Sequence, residues 1–239
     1  MTKTNDVRLR ETWDKLSHDP FHQAGFFPSE RYLSDWIGSQ KNKRVLEIGC
    51  GQGRIIVPLA RQNNQVIGID ISNEMLSICQ TRLKQEGLNV PLVRADTRHL
   101  PFRDGVFELV YSLGVVEHFE ETAQAINEHA RVSKVEGTVI VSVPHRRSFY
   151  HLFKIFSQFL HLFRFGFEQS FTKRELRQMT QAAQIRITNL IAQEIVPEST
   201  VTPLRHLAAY GVLLLDKLLL PVGLGGMTII VRGKVMSHN

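Results

Sequence analysis

Three glycines, Gly49, Gly51 and Gly53, fall within five residues directly after the apolar run Val45-Leu46-Glu47-Ile48. Glycine tolerates positive φ and allows a ligand close to the backbone. The stretch VLEIGCGQGR therefore reads as a strand ending at Ile48, a tight turn, and a helix beginning near Gln52. Two acids stand at matching places downstream: Asp70 ends VIGID, 21 residues after Gly49, and Asp96 ends VRAD. An acid at the tip of a second strand can accept hydrogen bonds from both hydroxyls of a ribose. An acid at the tip of a third strand, on a short side chain, suits an adenine amino group. The three strand tips together point to a nucleoside-bearing ligand over the carboxyl ends of a parallel sheet.

The loop narrows the choice of ligand. A dinucleotide fingerprint needs G-x-G-x-x-G, and here Arg54 stands where the third glycine belongs. No Gly-Lys-Ser/Thr follows, so the phosphate loop of nucleotide triphosphatases is excluded as well. Glu47 places a carboxylate two residues before the first glycine. A pyrophosphate would be repelled there, whereas a sulfonium with an α-amino group would not. The local charge favours S-adenosylmethionine over NAD.

These residues need a scaffold, and the rest of the chain supplies its pattern. Strands are expected at 44–48, 66–71, 92–95, 107–112 and 138–143, with helices at 54–62, 73–86 and 121–132 between them. Such alternation implies a parallel sheet with helices on both faces. Ser72 is a suitable N-cap for the second helix, and Gly87 a suitable stop after it. After Val143 the pattern changes. An amphipathic segment spans 148–165, Thr172-Lys173-Arg174-Glu175 forms a capping box, and strands at 185–196 and 227–235 flank a Leu-rich helix at 204–220. The N-terminal 5–40 reads as two short helices. The expected organisation is one domain over 1–239, with a cofactor-binding core at 43–145 and acceptor-side helical insertions at 146–184 and 202–224.

The net charge of +6 is unevenly placed: residues 1–143 carry 17 bases and 18 acids, and 144–239 carry 12 bases and 5 acids. A basic final third suggests an anionic partner, either a membrane surface or an acidic substrate. Two cysteines, Cys50 and Cys79, make no disulfide framework. With a polar stretch from Met1 to Asp19 and no leader pattern, the expected place is the cytoplasm, at the inner membrane face if the basic segment binds there. No metal site is expected, since the ten histidines are scattered and neither cysteine has a C-x-x-C partner.

VLEIGCGQGR (45–54), VIGIDIS (66–72), VRADTRHLPF (93–102), FELVYSLGVVEHF (107–119) and GTVIVSVPH (137–145), taken as a set, resemble the class I S-adenosylmethionine-dependent methyltransferases. The likeness is greatest to the broad type 11 group that includes ubiquinone and menaquinone biosynthesis methyltransferases. It implies a Rossmann-like α/β fold with seven strands, the last antiparallel, closed by 185–196 and 227–235. It further implies that Gly49, Gly51 and Gly53 meet the methionine portion of the cofactor, that Asp70 binds ribose, and that Ala95 and Asp96 border adenine. Ser112 and Leu113 would line the methyl-donor side. With the neighbours Glu47, Cys50, Ile71 and Thr97, these residues form the expected cofactor set.

Methyl transfer needs an acceptor aligned with the S–CH₃ bond, and alignment can contribute roughly 7–11 kcal/mol. An oxygen acceptor often also needs a base. His118, in VVEHF just after the fourth strand, is the candidate; the alternative is a histidine that only packs. Phe149, Leu152, Phe153, Phe156, Phe159, Leu160 and Phe163 form one helical stripe with basic flanks. That stripe suits a membrane-surface helix, a lid over a hydrophobic acceptor pocket, or a helix docked on the sheet. Transfer of a methyl group to a small, hydrophobic or lipid-like acceptor is the expected function. A non-catalytic S-adenosylmethionine-binding protein and an NAD-dependent oxidoreductase are the alternatives. Nucleic acid is not the expected partner, because the positive charge is interleaved with Phe and Leu stripes.

Overall fold

Strand β1 (Arg44–Ile48) is flanked on both sides by parallel neighbours, β2 (Gln65–Asp70) and β4 (Phe107–Leu113). The computed structural model describes residues 2–18, 41–161, 163, 165–193 and 225–237. Within them, β3 (Leu92–Arg94), β5 (Ser133–Pro144), β6 (Ile185–Gln193) and β7 (Thr228–Val235) complete a seven-stranded sheet in the order β3-β2-β1-β4-β5-β7-β6. β7 runs antiparallel to both β5 and β6, as the closing pair was expected to do. The order reverses between β1 and β4. In an open α/β sheet that switch point leaves a crevice outside the strand ends.

Helices cover both faces. α2 (Ile56–Arg61) and α3 (Asn73–Gln85) bury Ile56, Leu59, Cys79 and Leu83 against Val45, Leu109, Tyr111 and Leu113. On the other face, Ala125, Ile126 and Ala130 of α4 (Thr122–Val132) and Leu176 of α6 (Lys173–Ala182) pack with Val139, Val141, Ile229 and Val231. β1 is covered on both sides, which explains its near-continuous apolar run. Ser72 caps α3 by accepting from Met75 N at 3.1 Å. The capping box at α6 forms in both directions, Glu175 N to Thr172 Oγ1 and Thr172 N to Glu175 Oε2.

Some boundaries differ from the sequence pattern. α2 begins at Ile56, not near Gln52, because the turn continues through Gly53 at φ +75°. β5 begins at Ser133, five residues before the expected start at 138; its first part passes through Glu136 at φ +60°, so it lacks plain strand alternation. Among the described residues of the amphipathic segment 148–165, Phe149–Phe159 is helical and forms α5. At the N-terminus a single helix, α1 (Thr2–Leu16), is seen. The second helix expected before residue 40, the Leu-rich helix at 204–220 and the end of the strand expected at 194–196 lie outside the described residues. No helix among the described residues is long and apolar enough to cross a membrane.

Candidate cofactor and acceptor site

The three loop glycines are required for different reasons. All have positive φ: +69°, +48° and +75° at Gly49, Gly51 and Gly53. A Cβ on Gly49 would lie 2.3 Å from Val115 Cγ2, and one on Gly53 would lie 2.5 Å from Cys79 Sγ. Those two glycines make room for the protein's own side chains. Only Gly51 has nothing within 4 Å of its Cβ position. Gly51 thus leaves the backbone open, while Gly53 is turned into the packing behind the loop.

Asp70 closes the turn from below. Its Oδ2 accepts from Gly51 N at 2.9 Å and its Oδ1 from Ser72 N at 2.9 Å. Each oxygen keeps a lone pair for a further donor. Burial pushes the carboxyl up to about 6, and the backbone donors of Ser72, Gly51 and Ile71 offset part of that shift.

A crevice at the switch point brings Gly49, Gly51, Asp70, Ile71, Ala95, Thr97, Leu113 and His118 together. The rest of the expected set falls outside its wall. Asp96 is turned to Arg98, accepting from its backbone N at 2.8 Å and from Nη2 at 2.6 Å. Ser112 points to the opposite face of the sheet, where it bonds His129 Nε2 at 2.9 Å. Cys50 and Gly53 belong to the packing behind the loop.

Glu47 requires a correction. It is buried and absent from the crevice wall, and Oε2 has no hydrogen-bond partner. Burial holds its carboxyl well above the usual carboxylate range, with Tyr111 offsetting part of the rise. A carboxyl held in the core and absent from the crevice wall does not by itself choose between a sulfonium and a pyrophosphate.

Sequence reasoning missed the outer wall. Leu9 and Trp13 of α1 face the crevice, with Met75, Val115 and Phe119. The signal was a lone large aromatic in the otherwise charged segment RLRETWDKL. With α1 in this position the cavity is about 80 Å³, against the roughly 300–1,000 Å³ of ligand pockets. A molecule of nucleoside-amino-acid size needs a wider crevice than this.

His118 sits on a short 3₁₀ turn, Val116–His118, at the tip of β4. Its Nδ1 lies 2.8 Å from the Phe167 carbonyl, so Nδ1 carries the proton and Nε2 the lone pair. Trp13 meets the ring edge-on, with centroids 5.0 Å apart. Burial lowers its pKa to about 4, leaving a neutral imidazole at pH 7. The neighbouring Glu117 faces away, toward Lys154 and Glu168. The segment that holds His118 is itself fixed, since Gln169 N donates to Glu117 O at 3.0 Å.

Residues 46–141 match the methyltransferase domain family. This stretch, from β1 into β5, has the sequence pattern of a class I S-adenosylmethionine-dependent methyltransferase domain. It is 30% identical over 142 residues to methyltransferase GfsG of Streptomyces halstedii, covering 58% of this chain and 51% of that protein. It is 35% identical over 166 residues to norajmaline N-methyltransferase of Rauvolfia serpentina, covering 59% and 57%. With the ubiquinone biosynthesis O-methyltransferase of Alkalilimnicola ehrlichii the identity is 30%, covering 63% and 61%. The chain thus spans between half and about three-fifths of the length of these relatives. Among solved structures, a chain of a Haloferax volcanii methyltransferase–activator complex superposes with a TM-score of 0.73 at 15% identity, covering 97% of this chain and 99% of that one. A Thermotoga maritima S-adenosylmethionine-dependent methyltransferase gives 0.65 at 18%, covering 95% and 99%. At such identities the superpositions speak for the methyltransferase fold.

The residues on the crevice wall fit the methyltransferase cofactor. Gly51 offers an unobstructed backbone, Asp70 paired lone pairs, and Ile71, Met75 and Leu113 apolar contact.

Proposed function

We propose that the protein transfers a methyl group from S-adenosylmethionine to a small, hydrophobic acceptor. The observation that carries this reading is the pairing of Gly51 with Asp70 at the switch point of a methyltransferase-family domain. The cofactor supplies an activated methyl group on a positively charged sulfur. Asp70 would hold the ribose hydroxyls, and the Gly49–Gly51 turn the amino-acid end. Trp13, Phe119 and Val115 supply an apolar rim that excludes water and receives the acceptor.

In this reading His118 orients rather than strips. Its Nε2 lone pair can accept a hydrogen bond from an acceptor hydroxyl or amine. With a pKa near 4 it is a weak base at neutral pH. The relatives named above are called N- and O-methyltransferases, so the accepting atom differs among them. The apolar rim supports the hydrophobic character of the acceptor and leaves its atom open.

Calorimetric titration with S-adenosylmethionine, S-adenosylhomocysteine and NADH tests the reading. Saturable binding of the first two, lost in Asp70→Ala, is the expected result. Binding of NADH alone, or of none of the three, overturns it and favours the oxidoreductase alternative or neither. A screen of apolar phenols and amines with a labelled methyl donor then separates an enzyme from a protein that only holds the cofactor.

A further inference from the structure

α5 is amphipathic in the reverse sense. Its apolar residues Leu152, Ile155, Phe156 and Phe159 recur at helical spacing and are 50–78% exposed. The inward face is polar: Lys154 and Ser157 are 2% and 7% exposed. Lys154 pairs with the buried Glu168 at 3.1 Å and donates to Ser170 Oγ at 2.5 Å. That buried pair fixes the helix with Phe156 and Phe159 facing outward. A contiguous apolar stripe of this kind on a soluble protein marks an interaction surface.

The charge around α5 selects the partner. Arg147, directly before the helix, shares a cavity of about 620 Å³ with Lys173, Arg174 and Arg177. None of these four has an acidic partner among the described residues, whereas the adjacent Arg146 is paired with Glu175. Leu190, Ile191 and Ala192 form the apolar side of that cavity. It lies at the carboxyl ends of β5 and β6, the same end of the sheet as the cofactor crevice. A Phe- and Leu-rich face beside unpaired cations is the composition of a helix that lies in the surface of an anionic bilayer.

We propose that α5 docks on an anionic phospholipid membrane. Leu152, Ile155, Phe156 and Phe159 enter the acyl boundary, and the cavity of Arg147, Lys173, Arg174 and Arg177 takes a lipid phosphate. Docking presents the open end of the sheet to the bilayer, from which an apolar acceptor would reach the crevice. The docking itself needs neither cofactor nor acceptor, so it stands apart from the methyl-transfer reading.

Co-sedimentation of the full chain tests this, with vesicles of phosphatidylcholine alone and mixed with phosphatidylglycerol. Binding to the mixed vesicles at low salt is expected, and weak or no binding to phosphatidylcholine alone. Phe156→Asp with Phe159→Asp should lower the partition coefficient by more than about tenfold, scaling with the lost apolar area. Arg174→Gln with Arg177→Gln should lower it about 30-fold on the anionic vesicles. Absence of binding by the wild-type chain overturns the proposal, as does equal binding by both variants. So does a marked drop in melting temperature for Phe156→Asp with Phe159→Asp, because it would mean that another part of the protein covers the stripe. S-adenosylhomocysteine binding, measured on the same preparations, is expected to be unchanged in both variants.

Discussion

Asp14 accepts a hydrogen bond from Ser72 Oγ at 2.5 Å, and Ser72 Oγ in turn caps α3. One hydroxyl thereby clasps α1 to the corner that follows Asp70. A second clasp lies nearby, where Gln52 Nε2 donates to Ser17 O at 3.3 Å. Both clasps hold Leu9 and Trp13 over the crevice, and both link α1 to residues beside the cofactor loop.

Cofactor binding should therefore change the environment of Trp13. Titration with S-adenosylhomocysteine is expected to alter tryptophan emission saturably, and Trp13→Phe should abolish most of the change. Asp14→Ala should release the clasp and accelerate ligand association in stopped flow. Unaltered emission at saturating ligand would show that α1 does not move.

The loop glycines should separate by phenotype. Gly49→Ala drives a methyl group into Val115 at a positive φ, so the variant should lose several kcal/mol of stability or fail to fold. Gly51→Ala meets no protein atom and carries only the left-handed backbone cost of roughly 1–2 kcal/mol. It should fold, with a modestly lower melting temperature, and bind S-adenosylhomocysteine at least tenfold more weakly. Equal ligand affinity in wild type and Gly51→Ala would mean that the cofactor does not touch this residue.

Ligand affinity should depend on pH through Asp70. The folded carboxyl titrates near 6, raised by burial, so it is ionised above that pH and protonated below. Ribose hydroxyls need the ionised form as acceptor. The S-adenosylhomocysteine association constant is expected to be flat above pH 7 and to fall toward about tenfold per pH unit below 6. Calorimetry between pH 5 and 8 checks this, and a flat profile throughout would remove Asp70 from the ribose site.

On α5 the usual ranking of core and surface substitutions should invert. Lys154→Met leaves the buried Glu168 carboxyl without its cation and should cost about 3–5 kcal/mol. Phe156→Ala, on the exposed stripe, should change stability by less than about 0.5 kcal/mol. Denaturant unfolding of the two variants reads this directly.

Much of the scaffold was legible because it repeats. Buried Val and Ile runs marked the strands, Ser72 and the Thr172–Glu175 box marked helix starts, and the glycines and Asp70 marked the turn. The side of a strand was harder to read. Ser112 and Leu113 were both expected at the methyl-donor wall, yet strand neighbours point to opposite faces. Leu113 faces the crevice and Ser112 faces α4. Glu47 misled for a related reason: β1 is buried on both faces, so its carboxyl looked available to a ligand when it lies in the core. Trp13 was invisible as a site residue because its contact with His118 spans a stretch of chain that no local pattern bridges. The outward stripe of α5 was visible from spacing, but its direction was set by Lys154 and Glu168, a pairing that only the fold reveals.

β7 separates β5 from β6, pairing with each along its length. It is also the last of the seven strands to be synthesised. A nascent chain that has not yet released Thr228 to Val235 therefore lacks the strand that joins β5 to β6, and neither of the two has its partner along that edge. The parallel cofactor half can assemble while translation proceeds, whereas the other half must wait for the final strand. Arrest or slowing of the ribosome between β6 and β7 would prolong the interval in which the newborn protein is most exposed to aggregation and most in need of a chaperone.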